Sequence, residues 1–118
     1  MGTHNRPLVH LCGASSWSQA RRSGELAPVP GIGFVHLSTP EQVYLPANRL
    51  YRGRRDLVLL WVDPGRLTSP LRWEPGVETD PAAMLFPHLY GPLPVSAVVD
   101  VVDYRPGPDG AFAPFVCG

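Results

Sequence analysis

Leu57-Val58-Leu59-Leu60-Trp61-Val62-Asp63-Pro64-Gly65 is the stretch on which the fold turns. Six apolar residues in a row have no polar face, and the run is too short for a helix of ordinary length, so it reads as a strand covered on both sides. Asp-Pro-Gly closes it, because proline presets the turn dihedral and glycine accepts the conformations that follow. A strand buried on both faces belongs in the middle of a sheet, with neighbours on each edge and further layers above and below.

The flanking sequence supplies candidates for those neighbours. Residues 8–12 are a short apolar segment ending at Gly13, residues 34–37 follow a Pro/Gly-rich loop, and residues 71–74 and 86–90 alternate in type. Residues 95–102 read as a last strong strand. Helical patterns are fewer. Residues 15–22 fit one or two turns with Ser16 as N-cap. Thr39-Pro40-Glu41-Gln42 carries a hydroxyl, a first-turn proline, an acid near the dipole and a capping-box glutamine, which predicts a helix to about Tyr51, kinked or broken near Pro46. Five or more strands with about two helices predict an α+β domain, since a doubly wound sheet needs a helix after most strands.

A chain of 118 residues is expected to form one domain, residues 1–118, with a Pro/Gly-rich tail at 105–118 packing loosely on the surface. Its ten basic residues, all arginine, balance ten acids at zero net charge, so no long-range field draws it to extended nucleic acid. No apolar run approaches the roughly 20 residues of a membrane helix, and residues 1–6 are not of secretory type. With two well-separated cysteines, Cys12 and Cys117, the expected setting is a reducing cytoplasm. Both read as small buried hydrophobes.

Three histidines lie in strand-like runs: His10-Leu11-Cys12, His36-Leu37-Ser38 and His88-Leu89-Tyr90. Alternation puts each on one strand face with a polar or polarizable residue two positions on, which suits a shared pocket. Histidine exchanges protons near neutral pH, and a neighbouring hydroxyl holds a substrate oxygen or orients the ring. The plainer reading is three half-buried strand histidines, each with one satisfied hydrogen bond. The close Cys/His pairs of zinc sites are absent, so no metal is expected. His36-Leu37-Ser38 is similar to one element of the two-histidine phosphoesterases, but no second copy follows. Gly31-Ile32-Gly33 precedes a strand and reads as a turn, and the arginines at 52–55 read as a solvated connector. In residues 71–74 the alternation sets Arg72 and Glu74 on one face, from which Glu74 is expected to look into a cleft.

Gly33-Phe34-Val35-His36-Leu37-Ser38-Thr39, Ala47-Asn48-Arg49, Leu57-Val58-Leu59-Leu60, Arg72-Trp73-Glu74 and Leu85-Phe86-Pro87-His88-Leu89-Tyr90-Gly91-Pro92-Leu93 together resemble the bacterial domain-of-unknown-function 952 family. That resemblance implies an ADP-ribosyltransferase-like fold, a split β-sheet core in which relatives grip NAD between two small sheets. It implies that His10 corresponds to the first-strand histidine contacting the nicotinamide-side ribose, His36 to Ser38 to the second-strand motif, and Glu74 to the third member. His36 stands where an aromatic is usual, and Pro46, a shortened loop at 25–33 and an extra segment at 77–83 depart from the family pattern.

The expected function is an enzyme with a histidine-lined cleft that takes a small-molecule or nucleotide-like substrate, with NAD as its candidate cofactor. His10, His36, Glu74 and His88 are the candidate catalytic residues, and Ser38, Thr39, Arg49, Arg72 and Tyr90 the candidate binding residues. The alternatives are a metal-free tailoring enzyme (cyclase, isomerase or lyase) using histidine acid–base catalysis, and a non-catalytic ligand-binding module.

Overall fold

The computed structural model describes residues 6–77, 81 and 83–114. Residues 57–62 form β4 (Leu57–Val62), the middle strand of a three-stranded antiparallel sheet whose edges are β1 (Leu8–Gly13) and β8 (Val98–Asp103). Both faces of β4 are covered, as its apolar run requires. Leu57 and Leu59 pack with Val9, Val43, Ala47, Tyr104 and Phe112, while Val58 and Leu60 pack with Cys12, Trp17, Val98 and Val101. The two helices therefore serve opposite faces: α2 (Tyr44–Tyr51) contributes Ala47 to the first cluster and α1 (Ala14–Ser23) contributes Trp17 to the second.

A second three-stranded antiparallel sheet has the order β3 (Val35–His36), β6 (Leu85–Leu89), β5 (Leu71–Pro75). Val35, Leu37, Leu89 and Leu71 turn toward Leu8, Val62 and Leu93, which glues this sheet to the first. Val9 and Ser38 exchange backbone hydrogen bonds of 2.8 and 2.9 Å, so β1 and the chain following β3 join the two sheets directly. A two-stranded ribbon, β2 (Glu25–Leu26) with β7 (Leu93–Pro94), completes the small α+β domain.

Several local expectations give way to tertiary partners. Helix α1 starts at Ala14, not after Ser16, and no side chain caps it; the Ala14 N–H bonds to the Asp56 carbonyl at 2.9 Å, so a neighbouring segment does what a serine hydroxyl was expected to do. Its other end is a left-handed glycine, Gly24 at φ 97°, whose N–H reaches the Ala20 carbonyl at 2.7 Å.

Thr39 does not cap α2. The glutamine half of the capping box forms, with the Thr39 N–H donating to Gln42 Oε1 at 3.0 Å, but the Gln42 amide also donates to the Leu85 carbonyl at 3.1 Å, which ties a turn to β6. The helix begins beyond that turn, at Tyr44, without a side-chain cap. Pro46 thus falls in the first turn, where a backbone donor has no intrahelical partner, and the expected interruption becomes a turn–helix junction.

The strand expected over 95–102 starts at Val98, because Leu93–Pro94 and Val98–Asp103 belong to different sheets and residues Val95–Ala97 turn between them as a single 3-10 turn. Of the tail expected to pack loosely, residues 115–118 lie outside the described residues; within the part described, Phe112 is buried, stacks on Tyr104 with ring centroids 5.0 Å apart, and is gripped by Asn48, which donates to its carbonyl at 2.9 Å and accepts from its N–H at 2.7 Å. Cys117, and most of the segment expected over 77–83, lie outside the described residues. Among the described residues no helix is long and apolar enough to cross a membrane.

Candidate functional site

In the β5–β6–β3 sheet the register sets His88 opposite His36 on one side and opposite Arg72 on the other, with Glu74 opposite Phe86. One face of the sheet consequently carries Phe34, His36, Arg72, Glu74, Phe86, His88 and Tyr90, and the other carries the core residues. His88 is buried. Its Nδ1 lies 2.7 Å from Glu74 Oε1, and the Tyr90 hydroxyl donates to that same oxygen at 2.6 Å. Two donors on one oxygen favour the ionised carboxylate. The Tyr90 bond first and the His88 bond second hold Glu74 below the usual carboxylate range, while Glu74 in turn raises the Tyr90 phenol.

An ionised Glu74 only accepts, so the contact from His88 is an Nδ1–H donation, and Nε2 is the ring nitrogen left for exchange with a ligand. The plane of the ring is fixed by Phe34, which stacks on it at 4.1 Å and 15°, and by His36, which meets it edge-on at 5.3 Å. Tyr90 is steadied by the Arg72 guanidinium over its ring at 5.1 Å. The chain turns sharply after Tyr90 at Gly91, where any Cβ would collide with the Ser69 side chain, so only glycine fits.

His88, His36 and His10 all line one cavity of about 390 Å³, bounded by both three-stranded sheets, the 27–34 loop, α2 and the chain after β5. His10 stands on β1, half-buried, with Nδ1 2.7 Å from the His36 carbonyl oxygen. Since a carbonyl only accepts, Nδ1 of His10 carries the proton in that bond. Removal from water lowers the His10 pKa. His36 is lowered by partial removal from water first and then by its electrostatic interactions with His88 and Arg49. Both are therefore predominantly neutral at pH 7. Cys12 also lines the cavity, but burial pushes its thiol up to about 11, which makes it an inert wall rather than a nucleophile.

Of the residues singled out from the sequence, His10, His36, Ser38, Arg49 and His88 line the cavity. Glu74, expected to look into a cleft, is not among the residues that line it. With Tyr90 and Arg72 it stands behind His88, because β5 is the outer strand of its sheet. Thr39 is absent from the lining too, its N–H taken by Gln42. The sequence reading gave no role to Phe34, although period-two alternation puts residue 34 on the face of His36 and Ser38. It also missed Val29, Leu50 and Val77 at the cavity wall. No group of three or more His, Cys, Asp or Glu residues is arranged to hold a metal ion among the described residues.

Fold and site together define a small α+β domain that carries a histidine-lined cavity between two antiparallel sheets. Residues 11–101 match the family described as Protein of unknown function (DUF952), and the chain belongs to that family. It is similar to the protein CC0527 from Caulobacter crescentus: the X-ray crystal structure is 32% identical with a TM-score of 0.77 and covers 91% of this chain and 93% of that one. The solution NMR structure of CC0527 is 32% identical with a TM-score of 0.72 and covers 90% of each chain. No curated protein matches.

Proposed function

We propose that the domain is a small-molecule enzyme that works by acid–base catalysis, with His88 as the proton-transferring group and Glu74 as the carboxylate that orients it. The observation that carries this reading is the 2.7 Å contact between His88 Nδ1 and Glu74 Oε1, made by a buried ring on a cavity wall. A carboxylate behind an imidazole selects the tautomer, holds the ring in place and stabilises the imidazolium that forms when Nε2 takes a proton. Tyr90 and Phe34 then act as positioning residues, one through the shared carboxylate oxygen and one through the ring face. Ser38 and Arg49 serve to hold the substrate.

A second reading is an ADP-ribosyltransferase-like domain taking NAD or an ADP-ribosyl group. It is supported by the position of the cavity between two small sheets, with His10 on β1 and His36 and Ser38 at β3. The placement of Glu74 behind His88 weighs against it, since a carboxylate outside the cavity is badly placed to stabilise an oxocarbenium ion inside it.

Metabolite extract incubated with the wild type and with His88→Gln, followed by mass spectrometry, tests the first reading. The wild type should convert at least one compound that the variant leaves untouched. Enrichment on the protein without conversion would instead indicate a binding module. Melting temperature in rising NAD or ADP-ribose tests the second, because a ligand at 100 times its dissociation constant stabilises by about 2.7 kcal/mol.

A further inference from the structure

We infer that His36 is a second catalytic residue, an N–H donor to a carbonyl oxygen, and that His88 removes the proton from the carbon beside that carbonyl; the inference rests on the acid–base reading of the same site. Donors are the first argument. Three imidazoles line the cavity, and two of them have their N–H engaged: His10 Nδ1 with the His36 carbonyl oxygen and His88 Nδ1 with Glu74 Oε1, each at 2.7 Å. Among the described residues neither ring nitrogen of His36 has a hydrogen-bond partner; the ring touches only other rings. A neutral imidazole carries one N–H and one lone pair, so His36 is the member of the three with a donor left for a ligand.

Placement is the second argument. The register sets His36 directly opposite His88, their ring centroids lie 5.3 Å apart, and Phe34 packs against both, at 4.8 Å from His36 and 4.1 Å from His88. In a carbonyl compound the oxygen and the neighbouring C–H share one carbon atom. With a hydrogen-bond reach of roughly 3 Å from each ring, one such fragment can meet both. Charge is the third argument. Partial removal from water and the interactions with His88 and Arg49 keep His36 neutral at pH 7, so it adds no like charge when the adjacent His88 becomes an imidazolium.

In the step itself His88 Nε2 takes the proton, the electron pair of the C–H bond becomes a new C=C bond, and the carbonyl π pair moves onto the oxygen, where the His36 N–H holds the developing charge. Return of a proton from His88 to carbon restores a carbonyl compound, so the cycle needs no oxidant, reductant or second substrate. The wall describes the rest of the molecule. Leu26, Phe34 and Phe86 line the cavity, as do Val29 and Leu50, which remain 42% and 59% exposed. Covering such surface contributes roughly 25 cal/mol per Å². At about 390 Å³ the cavity is near the low end of the roughly 300–1,000 Å³ of ordinary ligand pockets. The substrate class is therefore a small enolisable aldehyde or ketone with an aryl or alkyl substituent.

Proton exchange in deuterium oxide, followed by ¹H NMR with the full chain and either phenylacetone or acetone, tests the inference. We expect the protein to exchange the methylene protons of phenylacetone about a hundredfold faster than the same concentration of free imidazole, and to accelerate acetone less. His88→Gln should abolish the acceleration. His36→Phe should lower it about a hundredfold, the usual loss of an oxyanion donor, while His36→Gln, whose amide still donates, should retain part of it. His36→Leu takes the place of His36→Phe if that variant does not fold. Full acceleration without an imidazole or amide at position 36, acetone accelerated as much as phenylacetone, or exchange of neither ketone would each overturn the inference. If neither ketone exchanges while conversion in metabolite extract still depends on His88, enolisation alone is lost. Exchange that survives in His88→Gln removes the base as well.

Discussion

Replacing Asn48 by alanine should loosen the cavity without touching any group that lines it. Asn48 sits on α2 between Ala47, which is fully buried, and Arg49, which lines the cavity, and its amide holds both backbone groups of Phe112 at 2.9 and 2.7 Å. Each such bond contributes about 1 kcal/mol net, and an unmet buried N–H or carbonyl costs more. Phe112 is 3% exposed, so water reaches its backbone poorly, and the loss should come to about 2 kcal/mol at least. For 118 residues the unfolding entropy converts 1 kcal/mol into about 4 °C, giving a fall of about 8 °C in Tm. Calorimetry or urea unfolding reads it directly. Asn48→Asp is a sharper control, because it still accepts from the Phe112 N–H but sets a carboxylate against the carbonyl and should recover none of the loss. A fall of less than about 2 °C for Asn48→Ala would refute the claim that the tail pins α2.

Two further outcomes follow from the site. In Glu74→Gln the carboxylate that selects the His88 tautomer is gone, so ¹⁵N spectra at neutral pH should move from Nδ1–H toward a mixture, and the Tyr90 phenol, no longer raised by its hydrogen bond to a carboxylate and by that group's charge, should ionise at lower pH in an ultraviolet titration; unchanged spectra and an unchanged phenol would sink the assignment. Stability should erode in two stages on acidification. His10 and His36 titrate below 6.5 when folded, so the unfolded chain binds more protons below that pH and stability, complete above it, declines as pH falls toward the lowered values; Glu74 adds a second decline as pH drops from about 4.5 through its own lowered value. Urea midpoints that stay flat from pH 6.5 to the onset of carboxylate titration would contradict the first stage, and His10→Gln with His36→Gln should abolish it.

The middle of the fold was readable because its physics is local to the residues that carry it. Leu57–Val62 has no polar side to offer water, which leaves a central strand as its simplest destination, and the alternating residues of β6 announce a sheet face whatever they pair with. Caps were less readable. Ser16 and Thr39 have the right chemistry at plausible positions, yet the Ala14 N–H finds the Asp56 carbonyl and Gln42 finds the Leu85 carbonyl, both contacts between segments distant in sequence. A local signal competes poorly when a long-range backbone partner satisfies the same donor. The break at residues 95–97 has a comparable origin, since it exists to carry the chain from the β2–β7 ribbon to the edge of the first sheet.

For the site, alternation was enough to put His36 on the face of Phe34 and Ser38, and His88 on the face of Tyr90, but it says nothing of register. Whether Glu74 faces the cavity or stands behind a histidine depends on how β5 and β6 align. Residues 76–84 between those strands are too many for the tight two-residue hairpins that fix register from sequence. The alignment that forms sets Arg72 opposite His88 and leaves Glu74 diagonal to it, within hydrogen-bonding reach of both His88 and Tyr90. A slip of two residues would keep every side chain on its face and still separate the carboxylate from the imidazole. The register of one edge strand therefore decides whether the buried histidine has an orienting partner at all, and the core contacts of Leu71 and Leu89, paired across that same ladder, are what hold it there.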